Sequence, residues 1–227
     1  MSPFVSLFQR LFDETSAARA DFVAIPLIGR AVSGDAPKDL YLAFLQEAYH
    51  HVRHTCPLLC LAAAKTRDPV YRDALMRYVE EERGHDEWIL ADIAALGGDA
   101  EAARRSQPGR ACRLMVAYAY YAIEWISPYA MLGMVHVLEG MSAQFAGQAA
   151  TTLAQKFGDA GSGQGFLYLS SHGSLDQEHT AFFQQLVDNL DRTAAPPIID
   201  TAIMMYGLYG DIFRELERRG EAMRHAA

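Results

Sequence analysis

Cysteine is scarce in this chain: Cys56, Cys60 and Cys112 are the whole complement, and no two of them form a Cys-x2-Cys pair. That excludes a disulfide framework and a thiolate zinc site, and it suits a reducing cytosol. Blocks of lysine and arginine are also missing. With a net charge of −8, neither a nucleic-acid surface nor docking on an anionic membrane is expected. Internal repeats, low-complexity tracts and alternating strand patterns are absent, and the first residues lack the basic region and apolar run of a signal peptide. A long apolar run does occur at 114–135, but Glu124 sits inside it, Pro128 interrupts it and His136 and Glu139 follow at once. It reads as a pair of buried helices and not as a membrane span.

What is present is helix periodicity. The length of 227 residues, 51% of them hydrophobic, suits one domain covering 1–227 with a full-sized core. Apolar residues at Phe4, Leu7, Leu11 and Phe12 predict an amphipathic helix over 3–20. Pro37 opens a helix running to about 65, and Asp68-Pro69 opens another that closes at Gly97-Gly98. Apolar helices follow over 111–126 and 128–157, then one through 172–192, and Pro196-Pro197 introduces the last. The expected architecture is an all-α bundle of about seven helices.

Chemistry concentrates in His172, Asp176 and His179. Offsets of four and seven residues lie within roughly 40° of the starting direction, so these three share one helical face as two imidazoles and a carboxylate, good ligands for a first-row transition metal. Glu82 and His85, three residues apart, repeat the Glu-x2-His arrangement of bundle-core dinuclear sites, with Glu81 as a rival. Glu139 lies among Met, Leu and Val, where a carboxylate needs a partner, and is a bridging candidate. Glu47, on the first long helix between Phe44 and Tyr49, is a further ligand candidate, with His54 as an outer partner or extra ligand. Glu124 and His136 read as hydrogen-bonded core groups. Glu47, Glu82, Glu139 and Asp176 together carry four negative charges, which two divalent cations would balance; carboxylate mixed with imidazole favours iron or manganese over structural zinc.

With these residues in view, the chain resembles the haem-oxygenase-like diiron oxidases and oxygenases, relatives of the TenA and PqqC folds. The resemblance spans nearly the whole chain: Glu47 on the first core helix, Glu-Glu-Arg-Gly-His at 81–85, Glu139, then His-x3-Asp-x2-His at 172–179. It implies a haem-oxygenase-like bundle holding two Fe(II) per chain, with manganese an alternative, and dioxygen as co-substrate for oxidation of a small organic acid, amino acid or amine. Glu139 would bridge the irons, and Glu47, Glu82, His85, His172, Asp176 and His179 would complete the coordination; Glu47 and Glu139 are the expected catalytic carboxylates. Tyr121, among the aromatics Tyr118, Tyr120, Trp125 and Tyr129, would line the cavity or pack the core. A homodimer follows from the same analogy. The competing functions are a metal-free TenA-like aminopyrimidine hydrolase, for which Cys112 with Glu124 is the available nucleophile pair, and a non-catalytic helical adaptor or metal-binding protein.

Overall fold

The computed structural model describes residues 5–157 and 164–226, side chains included except at 172–178 and 222–226. All regular structure among the described residues is helical: α1 (Leu7–Glu14), α2 (Ser16–Val23), α3 (Pro26–Val32), α4 (Lys38–Val52), α5 (Thr55–Lys65), α6 (Pro69–Glu82), α7 (His85–Ala95), α8 (Ala100–Arg105), α9 (Arg110–Tyr121), α10 (Ala130–Phe157), α11 (Leu167–Asp188) and α12 (Ala195–Ala226). A π-helical turn, Ala122–Ile126, links α9 to the Ser127-Pro128 bend.

These twelve segments correct the expected count, because helices predicted as continuous are interrupted. The Thr15 hydroxyl donates to the Leu11 carbonyl at 2.7 Å, a back-bond that bends a helix, and it falls between α1 and α2. The chain turns at Arg53-His54 between α4 and α5, and at Arg83-Gly84 between α6 and α7. Ser127 is extended (φ −168°), as the residue before a proline prefers. No helix among the described residues is long and apolar enough to cross a membrane. The apolar run 114–135 is divided among α9, the π turn and the start of α10, and Glu124 pairs with Lys65.

Helix α10 runs through the middle, packed on α11, α12 and α3. Gly133 permits this: a Cβ there would stand 2.5 Å from the Ile198 carbonyl oxygen at the start of α12, so only glycine lets the two backbones approach. The start of α11 is held from α7, where the buried Asp92 carboxylate accepts from the Leu167 and Tyr168 amides at 2.9 and 2.8 Å. Those otherwise unpaired first-turn donors offset the burial that raises the Asp92 pKa.

His136, on α10, is enclosed between α1, α11 and α12. Its Nε2 lies 3.5 Å from both the Thr15 and Tyr206 hydroxyls, and its ring stacks on Phe183 at 6.0 Å. Burial pulls its pKa down to about 4, so the folded protein keeps it neutral where the unfolded chain takes up a proton near 6.5. The unfolded state then binds more protons between those values, and stability falls as pH drops through that window, by about 3 kcal/mol over its full width. Urea unfolding measured between pH 6.5 and 4.5 is expected to show a decline in the natural chain that His136→Gln lacks; equal declines would assign the effect to other groups.

Candidate metal centre and its cavity

The Asp68 side chain caps α6 by accepting from the Val70 and Tyr71 amides, and Pro69 occupies the first turn. The last turns of α6 present Tyr78, Glu81 and Glu82. The helix stops because Arg83 is extended and Gly84 takes φ +95°, the left-handed region open to glycine. Glu82 and His85 therefore lie on two helices, a correction to the single helix expected. The break still leaves His85 Nδ1 3.1 Å from Glu82 Oε2, with the buried imidazole stacked on Trp88 at 4.2 Å.

Glu81 faces two ways, with one oxygen 2.8 Å from Arg77 Nε and the other 3.5 Å from His179 Nε2 on α11. Positions 172 and 176 fall on the same helix, but the His172 and Asp176 side chains lie outside the described residues. Among the described residues no three His, Cys, Asp or Glu side chains converge on one metal-holding point.

Glu82 and the half-buried Glu139 line a cavity of about 150 Å³, together with His51 of α4, Tyr78, Tyr168 of α11 and Tyr209 of α12. The rest of its wall is apolar, drawn mostly from α3 and α10. Tyr78 reports how close the acids stand: its pKa is raised first by burial, then by the charges of Glu139, Glu81 and Glu82. Tyr168 is raised well above the usual phenol value by burial, Tyr209 and Glu82. Carboxylates of α6 and α10 thus both stand on the wall of a largely apolar space, with His85 beside Glu82 and His179 beside Glu81.

Other expected site residues are placed elsewhere. Glu47 is buried but not on the cavity wall: both its oxygens accept from the Gly109 amide, at 3.1 and 2.9 Å, and Arg219 stands 3.8 Å away. It serves the N-terminus of α9, where an anion satisfies exposed amide donors. Burial raises its pKa and the Gly109 amide opposes that. His54 Nδ1 is 3.1 Å from the Tyr120 hydroxyl, away from the cavity wall. Tyr121 and Trp125 are exposed in a surface groove beside Cys60, which corrects their assignment to cavity or core. Cys112 is buried with its thiol toward the Glu47 carbonyl at 3.6 Å, and burial pushes its pKa up to about 12.

The residues that sequence reasoning passed over are His51 and Tyr78. Tyr78 precedes Glu82 by four positions and so shares its helical face, a signal that was readable. His51 stood among His50 and His54 with nothing local to separate them. Tyr168 and Tyr209 reach the cavity only through long-range packing.

A bundle of this kind, with acids and imidazoles from α6, α7, α10 and α11 near one apolar cavity, has the haem-oxygenase-like fold. The family model for iron-containing redox enzymes matches residues 42–210, and the chain belongs to that family. Among solved structures it is similar to a domain of unknown function with a haem-oxygenase-like fold from Shewanella denitrificans, at 19% identity, covering 97% of this chain and 96% of that one with a TM-score of 0.85. A TenA homologue from Pseudomonas syringae matches at 15% identity, 96% and 95% coverage and a TM-score of 0.78. Haem oxygenase-1 from the cyanobacterium Synechocystis, solved with haem, matches at 13% identity, 98% and 99% coverage and a TM-score of 0.66. At these identities the likeness is one of fold. A search of curated proteins finds no match.

The α6–α7 break is open to test. A side chain at position 84 would meet no neighbour within 4 Å, so the cost of Gly84→Ala is conformational alone, about 1–2 kcal/mol. The expected result is a melting temperature a few degrees lower together with weaker metal binding. An unchanged melting temperature would show that the chain tolerates a helical path at this point.

Proposed function

We propose that this protein is a non-haem iron oxidase or oxygenase that uses dioxygen to oxidise a small organic molecule bound in the cavity. The observation carrying this reading is the placement of Glu82 and Glu139 on the wall of an otherwise apolar space, with His85 and His179 at adjacent carboxylates. A donor set of carboxylate and imidazole without thiolate suits iron or manganese. The residues fit the group that the family name implies.

Glu81, Glu82, His85, Glu139 and His179 would hold the metal, with His172 and Asp176 joining from α11, and their number supports two ions. Iron bound there would supply the electrons and coordination sites for dioxygen reduction. The protein's own contribution is orientation and exclusion. The Glu82–His85 contact sets the plane of the imidazole, Asp92 fixes where α11 begins, and the apolar lining keeps bulk water from the reacting end.

A cysteine hydrolase of the TenA kind is disfavoured by two placements. Cys112 is off the cavity wall with a thiol pKa pushed up to about 12, and its expected partner Glu124 is paired with Lys65 on the surface.

Anaerobic Fe(II) titration is expected to reach about two equivalents per chain, with Glu139→Ala and Glu82→Ala each losing at least one and Glu47→Gln losing none. Substrate-dependent oxygen uptake across organic acids, amino acids and amines then identifies the reaction. Full iron retention in both alanine variants would move the centre elsewhere, and loss in Glu47→Gln would return that carboxylate to it.

A further inference from the structure

Tyrosines on one face of α6 are treated differently by the fold. Tyr71 is fully buried, and its hydroxyl donates to the Pro128 carbonyl at 2.9 Å. Tyr78, seven residues on and so on nearly the same face, is 1% exposed, yet its hydroxyl has no partner among the described residues. Tyr41, another cavity residue, donates to the Gly165 carbonyl at 3.3 Å. Leaving a buried hydroxyl unpaired costs about 1–3 kcal/mol, so such a group points to a partner supplied by something else. Tyr78 lines the cavity, and that is where the partner would arrive.

We propose that Tyr78 donates the hydrogen bond that positions the substrate, and that the substrate is an amphiphile with an oxygen acceptor at Tyr78 and a hydrocarbon tail along the wall between α3 and α10. This rests on the cavity being the substrate site and not on the identity of the metal. The tail follows from the lining: Ile28 and Ala31 of α3 face the same space as Met134, Phe145 and Ala149 of α10. A cavity of about 150 Å³ takes a guest the size of benzene, which corresponds to roughly six carbons. The alanines leave the room that larger side chains would fill.

The test uses two neutral probes, methyl hexyl ketone and the alkene in which a methylene replaces its carbonyl oxygen. Both are titrated into the full-length protein as purified and again after chelation. The natural chain is expected to prefer the ketone by about tenfold, in both preparations. Tyr78→Phe should lose that preference while binding the alkene as before, and should melt no lower than the natural chain, since the group removed has no partner. Ala149→Phe should weaken both probes alike. Equal binding of ketone and alkene by the natural chain, or an undiminished preference in Tyr78→Phe, overturns Tyr78 as the donor. Failure of the natural chain to bind either probe, or indifference of both to Ala149→Phe, overturns the amphiphile. Because the chelated protein gives the same readout, these outcomes are separate from the iron titration, which can fail or succeed independently.

Discussion

Two carboxylates, Glu82 and Glu139, on the wall of a largely apolar cavity are the constraint on which the interior is organised. Glu82 comes from the last turn of α6 and Glu139 from the first half of α10, and the charges of both, with Glu81, help raise the Tyr78 pKa after burial. A soluble bundle gains nothing in stability from such a grouping, since apolar replacements of similar volume would pack there without the desolvation cost. The family to which the chain belongs is one of iron-containing redox enzymes.

Several local devices bring the acids into place. Gly84, in a conformation that other residues adopt at a cost, ends α6 immediately after Glu82 and restarts the chain as α7 with His85 at its head. Gly133 lets α12 approach α10 about 1.7 turns before Glu139, which ties the acid-bearing helix to α12. Asp92 anchors the first turn of α11, the helix that carries His179. Breaks, close approaches and caps of this kind fix the geometry, while the apolar side chains around them supply the stability.

The likeness to both TenA homologues and a haem oxygenase shows how little the fold alone decides about chemistry. In this chain the distinction rests on particular side chains. The buried thiol, Cys112, is enclosed under the Glu47 carbonyl and is hard to ionise, whereas the titratable groups on the cavity wall are two acids, the His51 imidazole and phenols.

Helical periodicity, the turn residues and the Glu-x2-His and His-x3-Asp-x2-His spacings were legible because they are local: residues within two turns of one another have their relative directions set by the backbone alone. The all-helical architecture followed from that, the family was legible as a resemblance carried by the order of those motifs, and Glu82 and Glu139 both line the cavity. Three features were not local and could not be read. The segment 69–96 has continuous helical periodicity, and only the backbone at Arg83-Gly84 divides it. Within the run 114–135, Tyr121 at the end of α9 and Trp125 in the π turn are exposed, although its composition alone suggests a core. On α4, Glu47 and His51 are about one turn apart, and nothing in that helix says which enters the cavity. That was decided by the amide of Gly109, 62 residues away, which claims the Glu47 carboxylate and leaves His51 on the cavity wall. A sequence sets which groups share a helical face; only packing between helices sets which face meets the cavity, because that depends on donors and volumes contributed from distant parts of the chain.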